Sequence, residues 1–249
     1  MGKTSCEYNW HKTGRQVFYD NSTLETIHIM STDFFYDDFL GADLALPLNG
    51  AGGAESGYPW TSKIVGAAPP TALISADETN GHVTCSLTAD DQKQDAAMYM
   101  DDNLQFSIAQ GAIFETRVRM TVLPTTLSVA SFGLWGAWGD GGSTYRVGFE
   151  IPAGGLVACE SDDNATDTSA SSGVTVTAAQ TKIYRIDCTT QSNIKFYIDG
   201  VRVAGSTTFA NAASTANSKC QPHLGLYKAS GVGPGAMKID YVKIWQDRA

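Results

Sequence analysis

The stretch IFETRVRMTV, residues 113–122, decides the fold of this 249-residue chain. Its even-numbered positions are mostly apolar and fall on one face of an extended strand, whereas Glu115, Arg117 and Arg119 fall on the other face. One buried face and one wetted face are what an outer position in an antiparallel sandwich requires. The stretch therefore predicts a half-buried strand of a two-layered β protein.

Similar short stretches on both sides of it are predicted as strands, with turn residues between them. They cover residues 72–75, 81–87, 97–100, 128–138, 145–151, 155–160, 182–188, 194–203 and 237–245. The stretch 194–203 reads as two short strands hinged on Asp199-Gly200, a dipeptide typical of hairpin turns. Residues 161–173 read as an acidic loop of small residues. Without an amphipathic helix or a fixed repeat, the pattern predicts an all-β sandwich or barrel.

The composition narrows the class of partner. A net charge of -9 repels phosphate backbones and anionic membranes, so neither nucleic acid nor a membrane is expected as a partner. The N-terminal residues lack the apolar core of a signal peptide. Five cysteines lie far apart, without the spacing of a zinc site, and predict reduced thiols in a protein made in a cytoplasm. A disulfide between two of them stays an open alternative.

The chain divides into two parts at the level of composition. Residues 1–32 mix aromatic and polar residues without a sustained period and are predicted to form an N-terminal arm or anchoring segment. Residues 33–249 are predicted to form the sandwich, with the clearest strand pattern over residues 113–245. The glycines and proline between Leu48 and Trp60 exclude regular structure there.

Three motifs in order resemble the concanavalin A-like lectin and glucanase superfamily, which includes the laminin-G-like domains. They are FETRVRM at 114–120, YRID at 184–187 leading into KFYIDG at 195–200, and the closing IDYVKIW at 239–245. The resemblance covers roughly Ile113 to the C-terminus. It implies a two-sheet antiparallel jelly-roll sandwich in which the closing strand lies near the first one, with an irregular N-terminal extension. Such motifs specify a fold better than a function.

The order of the whole chain also resembles certain tailed-bacteriophage virion proteins, in which an aromatic N-terminal part opening near a DDF motif precedes such a sandwich. Here the motif is Asp37-Asp38-Phe39. The resemblance implies a capsid decoration protein located in the virion. Its expected partners are the capsid proteins and further copies of itself in a homo-oligomer. The candidate capsid-binding residues are Trp10, Phe18, Tyr19, Phe34, Phe35 and Tyr36.

The search for catalytic carboxylates on one strand fails. Glucanases of the superfamily carry carboxylates at alternate positions of a strand, so that an acid and its partner share a face. Glu150 has no carboxylate two residues away, and Glu115 is followed on its face by two arginines. The four histidines lack metal-ligand spacing. The sequence therefore predicts a protein that is not an enzyme, and a divergent glucanase ranks last among the functions.

Two kinds of binding site are nevertheless predicted. Exposed aromatic residues near turns could bind a carbohydrate, which makes a lectin-like module that recognises cell-surface glycans the alternative to the virion protein. The candidates are Tyr58, Trp60, Trp138 and Tyr145. No cofactor is expected apart from calcium, for which the oxygen-rich segment 160–167 offers Asp162, Asp163 and Asp167.

Overall fold

A computed structural model describes residues 32–39, 60–67, 70–74, 81–139, 143, 145–211 and 218–247. These ranges contain strands β1 to β16 and a 3₁₀ turn at Ile108–Gln110. The strands are β1 Thr32–Asp37, β2 Thr61–Val65, β3 Thr71–Ile74, β4 Val83–Leu87, β5 Gln94–Tyr99, β6 Phe106–Ser107, β7 Ile113–Val122, β8 Ser128–Trp135, β9 Tyr145–Pro152, β10 Leu156–Asp163, β11 Asp167–Thr175, β12 Thr181–Asp187, β13 Lys195–Ile198, β14 Val201–Val203, β15 Lys219–Lys228 and β16 Gly235–Asp247.

The strands form two antiparallel sheets. The first sheet has the order β14-β13-β12-β7-β16-β4-β3, and β1 pairs with the far end of β16. The second sheet has the order β11-β10-β9-β8-β15-β5-β2, and β6 pairs with β15. The sheets pack face to face as a sandwich, so the predicted all-β, two-sheet antiparallel fold is confirmed. The closing strand β16 does lie beside β7, as the superfamily motifs imply.

The core lies between the two sheets and is built from aromatic rings of both. Phe132 and Phe149 of the second sheet meet Tyr184 of the first at centroid distances of 4.7 and 5.1 Å. Phe196 continues the cluster on Phe149 at 5.2 Å. Edge-to-face contacts of this kind add to the free energy gained by burying the rings. Along β7 burial alternates as predicted from Phe114 to Met120, whereas Ile113 on the opposite face is also buried and Val122 at the end is 43% exposed.

The predicted hairpin at Asp199-Gly200 is present, because β13 and β14 pair directly across it. Both turn residues have positive φ, of 50° and 77°. The Asp199 carboxylate accepts hydrogen bonds from Lys182 at 2.7 Å and from the backbone N–H of Ile183 at 2.9 Å, which ties the turn to β12. Those two bonds lower the pKa of Asp199 against the opposing effect of burial.

Two predicted boundaries are wrong. Residues 161–173 are not one loop, because β10 continues to Asp163 and β11 returns from Asp167 as its antiparallel partner. A strand of small polar residues can form the edge of a sheet and expose one face to water. Because such a composition is also typical of a loop, the sequence did not predict β11 as a strand. β8 ends at Trp135, not at Trp138.

The predicted arm over residues 1–32 falls almost wholly outside the described residues, as does most of the glycine-rich loop 48–60. None of the helical segments in the described ranges could span a membrane.

Candidate active site

The second sheet carries an unusual set of polar side chains on its outer face, the face turned away from the core. Residues that pair directly across antiparallel strands share a face, so the pairing places these side chains in rows. One row contains Tyr99, His223, Gly133, Gly148 and Glu160. The neighbouring rows contain Gln221, Trp135, Arg146, Asp162 and Asp167 on one side, and Gly225, Ser131 and Glu150 on the other. Six strands, β5, β8, β9, β10, β11 and β15, thus deliver acids, bases and aromatic rings to one surface.

Glu150 and Glu160 are the central pair of carboxyl groups. They are diagonal neighbours on β9 and β10, because Glu160 pairs with Gly148 and Glu150 pairs with Ala158. Burial and the charge of Glu160 raise the pKa of Glu150 to about 7. Two carboxyl groups this close repel each other when both are ionised, so one of them keeps its proton near neutral pH. This is the arrangement of a proton donor beside a carboxylate.

Arg146 fixes the second carboxyl of the pair. Its guanidinium Nη2 donates to Glu160 Oε1 at 2.5 Å, and Nη1 donates to the backbone carbonyl of Ser143 at 2.9 Å. Glu160 is only 6% exposed, so the ion pair works at low dielectric. The pKa of Asp167 in the next row is also raised, first by burial and then by the charge of Glu160. Arg146 therefore offsets part of a locally dense negative charge.

An aromatic pair lies beside the carboxyls. The rings of Trp135 and His223 stack at a centroid distance of 3.7 Å and an interplanar angle of 6°. Both residues are at most 5% exposed. Gly148 leaves room for the indole, because a Cβ there would lie 3.3 Å from Trp135 Nε1. Both rings thus lie close to the backbone of the second sheet, next to the row of residues that contains Glu160.

Trp138 is held at the other side of this face by a polar network. Its backbone N–H donates to Asp102 Oδ1 at 2.6 Å, and Lys63 Nζ lies 4.6 Å from its ring centroid. Gln221 donates to the same Asp102 oxygen at 2.9 Å and accepts from two backbone N–H groups, of Met100 and Asp102. The backbone of Trp138 is thus anchored to Asp102, and its partly exposed indole lies against Lys63 at the edge of the site.

Asp95 is a second buried acid at this edge of the site. It is 4% exposed, and burial raises its pKa to about 7 against the opposing charges of Lys63 and Lys93. A raised pKa means that Asp95 stabilises the fold at low pH and that this stability is lost as the pH rises through 7. We expect Asp95→Asn to gain stability relative to the wild type between pH 4 and pH 7, by about 1 kcal/mol per pH unit. Urea denaturation at several pH values measures this, and a pH-independent difference would contradict it.

The predicted carbohydrate-binding residues are placed in different environments. Trp138 lies at the site described above. Trp60 is fully buried, and its indole N–H donates to Asp37 at 2.7 Å. Tyr145 is 7% exposed and its ring belongs to the core between the sheets. Neither of these two rings presents a face to solvent, so neither forms part of the site with Trp138. Tyr58 lies outside the described residues.

The predicted calcium ligands lie around the turn between β10 and β11. Asp162 Oδ1 accepts the N–H of Asn164 at 2.8 Å, and Asp163 Oδ1 accepts those of Ala165 and Thr166. Asp162 and Asp167 pair across the hairpin on the outer face. Within the described ranges, no group of three or more His, Cys, Asp or Glu residues could hold a metal ion. Calcium binding by these residues stays a prediction.

The predicted capsid-binding residues are described only in part. Trp10, Phe18 and Tyr19 lie outside the described ranges. Phe34 and Tyr36 project from β1 with 54% and 47% exposure, and their rings are nearly parallel at 6.5 Å. Phe35 points the other way and packs edge-on against Trp60 at 5.7 Å. Phe34 and Tyr36 thus form an exposed aromatic strip on the first sheet, remote in the topology from the carboxyl pair.

Sequence reasoning missed the carboxyl pair because it required both carboxylates on one strand. The partners instead come from the two strands of a hairpin, β9 and β10, whose turn contains Gly154-Gly155 with positive φ at both glycines. That turn and the alternation of the flanking strands could have placed Glu150 and Glu160 on one face. No comparable local signal links Trp135 with His223, which come from strands far apart in the chain.

No protein family and no curated protein matches this sequence. Solved structures do match. A protein of unknown function from Shewanella oneidensis MR-1 has a TM-score of 0.59 at 13% identity, covering 92% of this chain and 93% of that one. A putative β-glucanase from Mycobacterium abscessus has a TM-score of 0.55 at 16% identity, covering 85% and 99%. A pseudo β-1,3-glucanase of Mycobacterium tuberculosis has a TM-score of 0.57 at 14% identity, covering 86% and 98%.

These similarities show the fold alone, a two-sheet antiparallel sandwich like that of the matched jelly-roll glucanases. A β-1,3-glucanase and alginate lyases also occur among the matched structures. The matches contradict the prediction that the chain is not an enzyme, because the functions known for this fold among them are mostly those of glucanases and polysaccharide lyases. None of the structures named here is described as a virion protein, so the bacteriophage assignment gains no support.

Proposed function

We propose that the chain is a glycoside hydrolase that cleaves a polysaccharide on the outer face of its second sheet. The observation that carries the proposal is the cross-strand pair of Glu150 and Glu160, in which one carboxyl has a raised pKa and the other is bound to Arg146. Glycosidases use two carboxyl groups in different protonation states around an oxocarbenium-like transition state. The fold similarity to glucanases supports the same reaction class.

The two carboxyls take different roles because their surroundings differ. Glu150 keeps its proton near neutral pH and donates it to the glycosidic oxygen as the bond breaks. The Glu160 carboxylate, paired with Arg146, stabilises the positive charge that develops on the sugar ring. A water molecule then adds to the anomeric carbon and gives its proton to Glu150, which restores the acid for the next cycle. Arg146 holds the Glu160 carboxylate in place through the bond at 2.5 Å. Trp138, fixed from two sides, offers a ring against which a sugar can stack.

Release of reducing ends from polysaccharides tests the proposal directly. The purified chain is incubated with laminarin-type β-1,3-glucan, β-1,4-glucan, mannan and xylan, and also with alginate as a lyase substrate. We expect new reducing ends from at least one neutral polymer, without the absorbance of an unsaturated sugar that a lyase produces. Binding without any cleavage, or cleavage by elimination, would contradict the proposed hydrolase.

The pH dependence of that hydrolysis is a second expected result. Glu150 has to be protonated to act as an acid, and its pKa is raised to about 7. We therefore expect kcat/KM to fall about tenfold per pH unit above pH 7, because the protonated fraction falls at that rate. Asp95→Asn serves as the control, since Asp95 also titrates near pH 7 and its removal should leave this alkaline limb in place. A rate that stays constant up to pH 9 would exclude Glu150 as the acid.

A role in a bacteriophage particle remains a prediction. It rests on the aromatic character of residues 1–32 and on the exposed strip of Phe34 and Tyr36. Glycoside hydrolysis and attachment to a virion are compatible, because the strip lies on the first sheet and the carboxyl pair on the second. Detection of the protein in purified particles by mass spectrometry would decide the question.

A further inference from the structure

The outer face of the first sheet carries aromatic side chains that water reaches. Phe34 and Tyr36 on β1 are 54% and 47% exposed, and their ring centroids lie 6.5 Å apart. Tyr36 also lies 6.3 Å from Tyr241 on β16, and Phe34 pairs directly with the partly exposed Trp245 on that strand. We call these four residues the aromatic platform. Apolar groups that adjoin one another on a surface mark an interaction site more often than scattered ones do.

Cations continue the platform across the sheet. The strand pairing places side chains of β1, β16, β7, β12, β13 and β14 in one row on this face. Strands of a sheet lie about 4.8 Å apart, so a row across six strands is about 24 Å long. The row therefore suits an extended polymer better than a single small molecule. Its members are Tyr36, Lys243, Glu115, Arg185, Tyr197 and Arg202.

Two arginines of this row leave positive charge for a ligand. The Arg185 guanidinium lies between two rings, 5.4 Å from the centroid of Trp245 and 5.8 Å from that of Tyr197. Neither Arg185 nor Arg202 forms an ion pair within the described ranges, whereas Lys243 lies 3.5 Å from Glu115. Arg185 is partly exposed and Arg202 is exposed, so an anion can approach both. In a chain of net charge -9, this region attracts anions while most of the surface repels them.

We propose that this face docks an acidic polysaccharide of the polyuronate class. The sugar rings stack on Phe34 and Trp245, and the carboxylates pair with Arg185 and Arg202, because a guanidinium matches the planar shape of a carboxylate. The inference rests on the proposed function only for preferring a glycan to a nucleic acid, which also combines rings with anionic groups. The Glu150–Glu160 pair lies on the other layer of the sandwich. The docked polymer thus holds the enzyme without occupying its active site.

The exchange Arg185→Gln tests the charge. Binding to the full chain is measured by calorimetry at low salt with hexasaccharides of alginate, polygalacturonate and β-1,3-glucan, and with a hexamer of thymidylate. We expect both uronates to bind, and Arg185→Gln to weaken their binding at least about fivefold. Added salt should weaken it as well, because exposed charges are screened. Lys219→Gln is the matched control, since it removes one exposed cation from β15 of the second sheet and should leave the uronate affinity unchanged.

The exchange Phe34→Ser tests the aromatic platform. We expect it to weaken uronate binding about fivefold through the loss of ring stacking. Leu73→Ser is the matched control, because Leu73 on β3 of the same sheet is likewise 54% exposed and lies outside the row. All four side chains are at least partly exposed, so the Tm of each variant should stay close to that of the wild type.

Several results would overturn the inference. They are absence of uronate binding, a uronate affinity that stays unchanged in Arg185→Gln or in Phe34→Ser, and equal dependence of glucan binding on Arg185. Tighter binding of the thymidylate hexamer than of both uronates would indicate a nucleic-acid site instead. Light scattering tests a second copy as the occupant, since a wild-type dimer that Phe34→Ser dissociates would contradict docking of a glycan.

The proposed hydrolase is decided separately, by reducing-end release in the wild type. Uronate binding that depends on Arg185 without any hydrolysis would keep the docking face and refute the hydrolase. Hydrolysis without such binding would keep the hydrolase and refute the docking face.

Discussion

Glu160→Gln is expected to abolish hydrolysis, with a loss of kcat of at least about a thousandfold. The exchange removes the negative charge that faces the developing positive charge of the sugar. It also removes the partner charge that raises the pKa of Glu150, so the remaining acid becomes ionised at a lower pH. Glu150→Gln should cause a loss of similar size, because the leaving oxygen then lacks its proton donor. Reducing-end release at saturating substrate measures both effects.

Glu115→Gln is the matched control for these exchanges. Glu115 lies on the outer face of the first sheet, where its Oε1 accepts a hydrogen bond from Tyr241 at 2.9 Å and lies 3.5 Å from Lys243. It is a partly buried carboxylate like the catalytic pair, but it comes from the other layer of the sandwich. We expect it to keep full activity. Equal loss of activity in Glu115→Gln and Glu160→Gln would show that the outer face of the second sheet is not the active site.

The double exchange distinguishes a pair from two independent groups. If Glu150 and Glu160 act in one chemical step, the double variant should be no slower than the worse of the single variants, because the residual rate then comes from binding alone. Additive losses would indicate that one of the two carboxyls acts through stability or binding. Circular dichroism of each variant checks that the sandwich is intact.

The sequence was informative where structure depends on local pattern. The alternation in β7, the Asp199-Gly200 turn and the closing strand could each be predicted, because each follows from residues within a few positions of one another. Pairing partners were not local. The β9–β10 hairpin places Glu150 diagonally beside Glu160, and only the register of that hairpin shows it. A requirement for carboxylates at alternate positions of one strand therefore leaves Glu150 and Glu115 each without a partner, and it led to the wrong prediction that the chain is not an enzyme.

Burial was the second quantity that the sequence did not supply. Trp60 and Tyr145 looked like exposed sugar-binding rings because glycine-rich turns lie beside them, yet both are buried. His223 looked isolated, although its partner in the site, Trp135, is a neighbour only through the pairing of β15 with β8. Contacts between strands distant in the chain depend on the whole topology, so no local pattern encodes them.

Lys228 is a third case of unexpected burial, and it gives the largest expected effect on stability. Its side chain is fully buried, and Nζ donates to the backbone carbonyls of Thr88 and Asp90 at 2.7 Å each. These carbonyls belong to the connection between β4 in the first sheet and β5 in the second. A buried ammonium group is tolerated only when its protons are bound in this way. Lys228 therefore fastens the connection between the two layers.

We expect Lys228→Met to lower the free energy of unfolding by about 3 kcal/mol. Methionine fills a similar volume but leaves the Thr88 carbonyl without the bond from Nζ, and removal of the buried charge offsets only part of that loss. Lys219→Met on the same strand is the control, because Lys219 is exposed and should change stability by no more than about 0.5 kcal/mol. Urea denaturation of both variants measures the difference. A loss below about 1 kcal/mol for Lys228→Met would mean that the β4–β5 connection is held by its other bonds, such as that from Gly231 to Asp91 at 2.8 Å. A large loss of unfolding free energy would mean that Lys228 also helps to position β5, the strand that carries Asp95 and Tyr99 next to Trp138.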